Sequence, residues 1–73
     1  MMFSPEEIQI DPILRYLVPN PNLPEHLYNI SVVFFSMAED LLESIPRNAE
    51  RTAGFRKLLE AKDCFVRAAL DND

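Results

Sequence analysis

The chain has 73 residues, a net charge of −5 and 48% hydrophobic residues. This length fits one small domain and leaves no room for two. The acidic balance disfavours non-specific binding to DNA, and a single cysteine excludes an intramolecular disulfide.

A chain of this size rarely buries enough apolar surface to offset the entropy lost on folding, unless a disulfide, a metal or a second subunit helps. We therefore expect oligomerisation. No apolar run approaches the roughly 18 residues of a membrane span, and the first residues lack the basic and apolar regions of a signal peptide. We expect a protein of the reducing cytoplasm without a membrane partner.

The first part of the chain predicts one short helix after an irregular start. Residues 1–10 contain a proline and an alternating I-Q-I, which favours an extended arm or a frayed turn. Asp11 and Pro12 are typical of an N-cap followed by proline at the first helical position, so we predict a helix over 11–18 that Pro19 ends. The P-N-P-N-L-P segment that begins there is a stiff turn.

The segment 24–45 predicts a long amphipathic helix that ends before Pro46. Its apolar residues recur at spacings of three and four, in two adjacent seams. The first seam contains Leu27, Ile30, Phe34, Met37 and Leu41, and the second contains Tyr28, Ser31, Phe35, Ala38, Leu42 and Ile45. Such a face is too wide for one neighbouring helix, so we expect part of it to contact another subunit.

The segment 48–70 predicts a third helix, rich in Ala, Leu, Arg, Lys and Glu, with Asn48 as its N-cap. Gly54 costs about 1 kcal/mol relative to alanine in a helix interior. It indicates either a close approach of another backbone or a glycine tolerated by chance. Cys64 is expected to pack as a small apolar residue.

The predicted fold is all-α: a short N-terminal helix and a long antiparallel αα-hairpin, which assembles into a homo-oligomeric helical bundle. The hairpin follows from the connection between the two long helices, which is too short for any other arrangement. Six of the seven Lys and Arg residues lie between Arg47 and Arg67, so positive charge is concentrated in the last helix and its entry.

The hairpin defines two ends, and each offers candidate anion-binding residues. One end offers His26, Tyr28 and Arg67, with Tyr16 from the short helix. The turn end offers Arg47, Arg51 and Thr52, near the positive end of a helix dipole. Arg51 opposes that dipole, which indicates either a bound ligand or a partner carboxylate.

No catalytic constellation is present in the sequence. There is one histidine, one cysteine, no glycine-rich phosphate loop and no spacing typical of metal ligands. We therefore predict a protein that is not an enzyme and that carries no metal or cofactor. Tyr16 and Tyr28 are either core aromatics or platforms on which a base stacks. Four charged residues at helical spacing predict a solvated ladder of ion pairs: Arg56, Glu60, Asp63 and Arg67.

The run E-R-T-A-G-F-R-K-L-L-E-A-K, preceded by an amphipathic helix that ends in I-P, resembles the small phage anti-CBASS sponges for cyclic oligonucleotides. The resemblance covers residues 30–70. It rests on Phe34 or Phe35, Ala38, Leu42, Pro46, Glu50, Arg51, Lys57, Leu58, Glu60 and Ala61. It implies a helical hexamer in the host cytoplasm that binds cyclic nucleotide immune signals without cleaving them, so that CBASS effectors are never activated.

The resemblance implies separate sites for the two ligand classes, and the two ends of the predicted hairpin are the candidate places for them. A cyclic dinucleotide is expected near Tyr16, Tyr28 and Arg67, with His26 in the place of an expected lysine. A cyclic trinucleotide is expected at a separate site near the turn, at Arg47, Arg51 and Thr52. A second hypothesis is a small helical interaction module, an adaptor or inhibitor that docks on another protein through its wide apolar face.

Overall fold

The computed structural model describes residues 1–70, and all of its regular elements are helical. They are α1 (Pro5–Ile10), a 3-10 helix (Pro12–Leu17), α2 (Glu25–Ser44) and α3 (Ala49–Leu70). The prediction of an all-α fold is confirmed. None of these helices in residues 1–70 combines the length and apolar character needed to cross a membrane.

Residues 5–10 form helix α1, where the sequence favours an extended arm or a frayed turn. The reason is a capping box: the backbone N–H of Glu7 donates to Ser4 Oγ (3.1 Å), and the backbone N–H of Ser4 donates to Glu7 Oε1 (2.8 Å). Pro5 stands at the first position, where a missing N–H costs nothing. Phe3, just before the cap, is buried with its ring centroid 4.7 Å from that of Phe35. The N-terminal residues are therefore part of the core.

The short helix predicted over 11–18 is a 3-10 helix over Pro12–Leu17. Leu14 and Leu17 are fully buried in it. Their spacing of three suits this geometry, because side chains three residues apart are aligned on a 3-10 helix. Asp11 precedes the helix, but its side chain makes no capping hydrogen bond. Its carboxylate instead accepts hydrogen bonds from Arg51 and Thr52 of α3.

The two long helices run in opposite directions. Phe34 of α2 contacts Phe65 late in α3, with ring centroids 5.9 Å apart, whereas Arg51 early in α3 donates to the carbonyl of Ile45, just past the end of α2. Asn48 caps α3, since its Oδ1 accepts from the backbone N–H of Arg51 at 2.8 Å. The predicted bounds 24–45 and 48–70 differ from the observed ones by one residue at three of the four helix ends.

The core is small and takes residues from the 3-10 helix, from α2 and α3, and from the segment before α1. It consists of Phe3, Leu14, Leu17, Phe34, Phe35, Ala38 and Phe55. The second of the two predicted α2 seams lies deepest, since Ser31, Phe35 and Ala38 are all buried. Helix α3 contributes only Phe55 to the fully buried set, and Cys64 is exposed, contrary to the expectation that it packs inside.

Candidate binding site

The start of the 3-10 helix is tied to the start of α3 by one buried carboxylate. Asp11 Oδ2 accepts from Arg51 Nη2 at 2.9 Å, and Asp11 Oδ1 accepts from Thr52 Oγ1 at 3.0 Å. The side chains of Arg51 and Asp11 are 9% and 1% exposed. This is the one ion pair within residues 1–70, so the four-residue ladder predicted along α3 does not form there.

This network explains why a cation, Arg51, lies in the first turn of α3. A cation in the first turn of α3 indicated a ligand or a carboxylate, and the chain itself supplies the carboxylate from 40 residues upstream. Arg51 Nη1 also donates to the carbonyl of Ile45 at 2.9 Å. A cyclic trinucleotide that reached Arg51 and Thr52 would therefore compete with Asp11. Their assignment to that ligand stays a prediction.

Beside the network lies an open depression of about 300 Å³ between the 3-10 helix and α3, here called the Tyr16 cleft. It is lined by Asp11, Pro12, Ile13, Arg15, Tyr16, Thr52 and Arg56. The 3-10 helix positions Tyr16 because Leu14 and Leu17, on either side of it, are held in the core. Tyr16 is consequently directed outward and is 56% exposed.

Three cations lie near Tyr16, and two of them, Arg15 and Arg56, line the cleft. The guanidinium carbon of Arg15 lies 5.5 Å from the centre of its ring. Lys62 Nζ donates to its backbone carbonyl at 2.6 Å, and Arg56 lines the same cleft without an ion pair in residues 1–70. The charge of Asp11 is balanced by Arg51. The cleft is therefore locally positive on a molecule whose net charge is −5.

The remaining predicted ligand residues lie elsewhere. Tyr28 is half-buried and lines another depression with Pro21, Leu23 and Glu25, so Tyr16 and Tyr28 do not share one site within a chain. Within the chain, the 3-10 helix contacts α3 through the hydrogen bond from Lys62 to the Tyr16 carbonyl. That one end of the hairpin gathers these residues into a ligand site stays a prediction.

The other three candidate residues are exposed. His26 lies in the first turn of α2, and Arg47 lies in the connection between α2 and α3. Arg67, in the last turn of α3, donates to Cys64 Sγ at 3.5 Å. None of the three is held by an ion pair in residues 1–70, so each is accessible to an anion.

Sequence reasoning missed Arg15, Arg56 and Lys62 as companions of Tyr16. Arg15 is adjacent in sequence, and Arg56 lies one turn after Thr52 on α3, so both carried a local signal. No local pattern indicated the contact between Lys62 and Tyr16, because the two residues are 46 positions apart in the chain. Across residues 1–70, no three His, Cys, Asp or Glu side chains are grouped to hold a metal ion.

The chain was compared with protein-family models, with curated proteins and with solved structures. No match was found in any of the three. The resemblance to anti-CBASS sponges therefore rests on the sequence motif alone. What the Tyr16 cleft can bind follows from its own geometry.

Proposed function

We propose that this protein is a phage anti-defence sponge, which holds cyclic di- and trinucleotide immune signals without cleaving them and so prevents CBASS effector activation. It acts as a homo-oligomer in the host cytoplasm. The observation that supports this most directly is the Tyr16 cleft, which is lined by an exposed aromatic ring and by the arginines Arg15 and Arg56.

The chemistry of the cleft suits a phosphate joined to a base. Guanidinium groups donate two parallel hydrogen bonds to phosphate oxygens, and Arg15 and Arg56 are placed to supply them. The exposed ring of Tyr16 offers a stacking surface for a base, a contact that tolerates any base identity. Binding of this kind needs no proton transfer, which agrees with a sequence that lacks catalytic motifs.

The size of the cleft favours a site completed by a second subunit. A volume of about 300 Å³ is at the lower limit of small-molecule pockets. It accommodates one base with its phosphate but not a whole cyclic dinucleotide. A two-fold ligand shared by two symmetry-related clefts would use one Tyr16 and one Arg56 from each subunit.

Calorimetry with a panel of cyclic di- and trinucleotides tests the proposal, followed by recovery of the ligand after the protein is denatured. We expect binding and intact ligand. Tyr16→Ala and Arg56→Ala should each weaken dinucleotide binding roughly tenfold or more. Arg47→Ala is the matched control, because it removes an exposed arginine that lies outside the cleft. Absence of binding at micromolar protein, or recovery of cleaved ligand, contradicts the proposal.

The trinucleotide site predicted at the turn is tested with Arg47→Ala. Arg47 is exposed, so its removal should leave the fold intact. It should weaken trinucleotide binding and leave dinucleotide binding unchanged. Equal effects on both ligands would show that the two classes do not have separate sites.

The exposed apolar residues of α2 and α3 support a second candidate function, an adaptor or inhibitor that docks on another protein. Val33, Met37 and Phe65 are all exposed. Sedimentation equilibrium distinguishes the two functions. A monomer that is indifferent to every cyclic nucleotide favours the adaptor, whereas an assembly that binds them favours the sponge.

A further inference from the structure

An open cavity of about 520 Å³ lies between the end of α2 and the first half of α3. Its walls are mainly apolar, with Leu41 and Ile45 from α2 and Leu58 and Ala61 from α3. Gly54 lines it, and a Cβ built on Gly54 would meet no atom within 4 Å. The space above Gly54, here called the Gly54 cavity, is therefore open to a side chain from outside.

The same face of α3 carries a large apolar side chain that the chain does not cover. Phe65 is 59% exposed, and it follows Gly54, Leu58 and Ala61 at spacings of four, three and four. These four residues form one stripe without a charged side chain. Phe65 lies about 16 Å along the helix from Gly54, at 1.5 Å per residue. Its contact with Phe34 fixes its position on this face.

We propose that two copies of the chain pair antiparallel along this stripe, so that Phe65 of each copy enters the Gly54 cavity of the other. A two-fold axis between Leu58 and Ala61 places Gly54 opposite Phe65 of the partner subunit, and Leu58 opposite Ala61 of the partner subunit. Each layer then pairs a large side chain with a small one, as interdigitating helices require.

The antiparallel direction also suits the helix dipoles. It brings the last turn of the partner's α3, where the dipole is negative, towards the first turn of α3, where the dipole is positive. A parallel pairing would instead bring the two positive helix starts together.

This inference rests on the homo-oligomer of the proposed function and adds to it an interface on the face of α3 opposite the Tyr16 cleft. It does not require any ligand. Sedimentation equilibrium over a concentration series of the pure chain tests it. Phe65→Ala should raise the dimer dissociation constant roughly 10- to 100-fold, as for an anchor residue at an interface. Ile10→Ala is the matched control, because Ile10 is an exposed large apolar residue outside α2 and α3.

Gly54→Leu separates association from folding. Its added side chain enters open space within the chain, so circular dichroism should show an intact helical fold. The side chain nevertheless fills the cavity, and association should weaken as much as with Phe65→Ala. The double variant Gly54→Leu with Phe65→Ala exchanges large and small residues across one layer. It should associate more tightly than either single variant.

Three results would overturn the inference. The first is a wild-type chain that stays monomeric at every concentration, whether or not it binds nucleotides. The second is an assembly that neither single variant weakens, which would leave the sponge function intact and place its interface elsewhere. The third is a double variant that associates no better than the single variants, because that result excludes direct contact between positions 54 and 65.

Discussion

Asp11 and Arg51 form the contact on which the position of the 3-10 helix, and with it the Tyr16 cleft, depends. Both side chains are almost completely buried, so removing the cation leaves a carboxylate without a counter-charge. We expect Arg51→Ala to lower the free energy of unfolding by about 3 kcal/mol or more. Urea denaturation followed by circular dichroism measures it.

The control for this variant is Arg47→Ala, which removes the same side chain from an exposed position four residues earlier. Its effect should stay within about 0.5 kcal/mol. Equal stability of the two variants would mean that the Asp11–Arg51 pair contributes nothing. A small domain has only a few kcal/mol of net stability, so Arg51→Ala is expected to populate the unfolded state measurably.

At Gly54, a larger side chain is expected to stabilise the helix but to fill the space that the proposed subunit interface needs. The sequence left two explanations, close approach of a backbone or tolerance, and within the chain nothing approaches it. We expect Gly54→Ala to stabilise the isolated fold by about 0.5–1 kcal/mol, because alanine restricts the unfolded chain and fits the helix. Thermal unfolding measures the gain.

The reverse substitution at the neighbouring residue is a suitable control for Gly54→Ala. Ala53→Gly, also exposed on α3, should lose a similar amount of stability. The comparison is made at a protein concentration that keeps the chain monomeric. There, a Gly54→Ala chain less stable than the wild type would contradict the prediction, because no neighbouring side chain lies within 4 Å of the added Cβ.

At the scale of the element, α1 shows how a short helix is specified by its ends. Six residues are too few to be helical alone, and none of them is buried. The capping box and the burial of Phe3 hold it in place. We expect Ser4→Ala to cost about 1 kcal/mol in the free energy of unfolding.

The measurement for Ser4→Ala is chemical denaturation, with Ser36→Ala as its control. Ser36 is exposed within α2 and caps nothing. It should leave the stability unchanged or slightly raised, because alanine has the higher helix propensity. If both variants behave alike, the capping box does not stabilise the N-terminal segment.

The elements also show what the sequence can predict. Helices α2 and α3 follow from periodicity and from Pro24, Pro46 and Asn48, all of which are local signals. α1 was missed because its six residues are too few to show a period, although S-P-E-E contains the capping box. The cleft was missed for another reason. Its contacts join residues 40 to 46 positions apart, and no local pattern encodes them.

At the scale of the whole molecule, charge is separated between two surfaces. The Tyr16 cleft carries Arg15 and Arg56, whereas a second depression beside Phe3 is lined by four carboxylates. These are Glu7, Glu39, Asp40 and Glu43. An anionic ligand is therefore repelled from one surface and attracted to the other, although the net charge of −5 alone predicts repulsion.

This separation makes salt a means of distinguishing the two proposed interactions. Raising the ionic strength from about 0.1 M to about 1 M shortens the Debye length from about 10 Å to about 3 Å. Nucleotide binding at the exposed cations of the Tyr16 cleft should weaken several-fold. Pairing along the α3 stripe is apolar, so it should be unchanged or strengthened, because high salt also relieves repulsion between two acidic subunits.

Calorimetry and sedimentation equilibrium at the two salt concentrations measure both effects on the same preparation. Arg47→Ala is again the control for dinucleotide binding, since it changes the net charge without touching the cleft. Self-association that weakens with salt as steeply as nucleotide binding would show that charge, and not the insertion of Phe65, holds the subunits together. Nucleotide binding that ignores salt would show that Arg15 and Arg56 do not contact the phosphates.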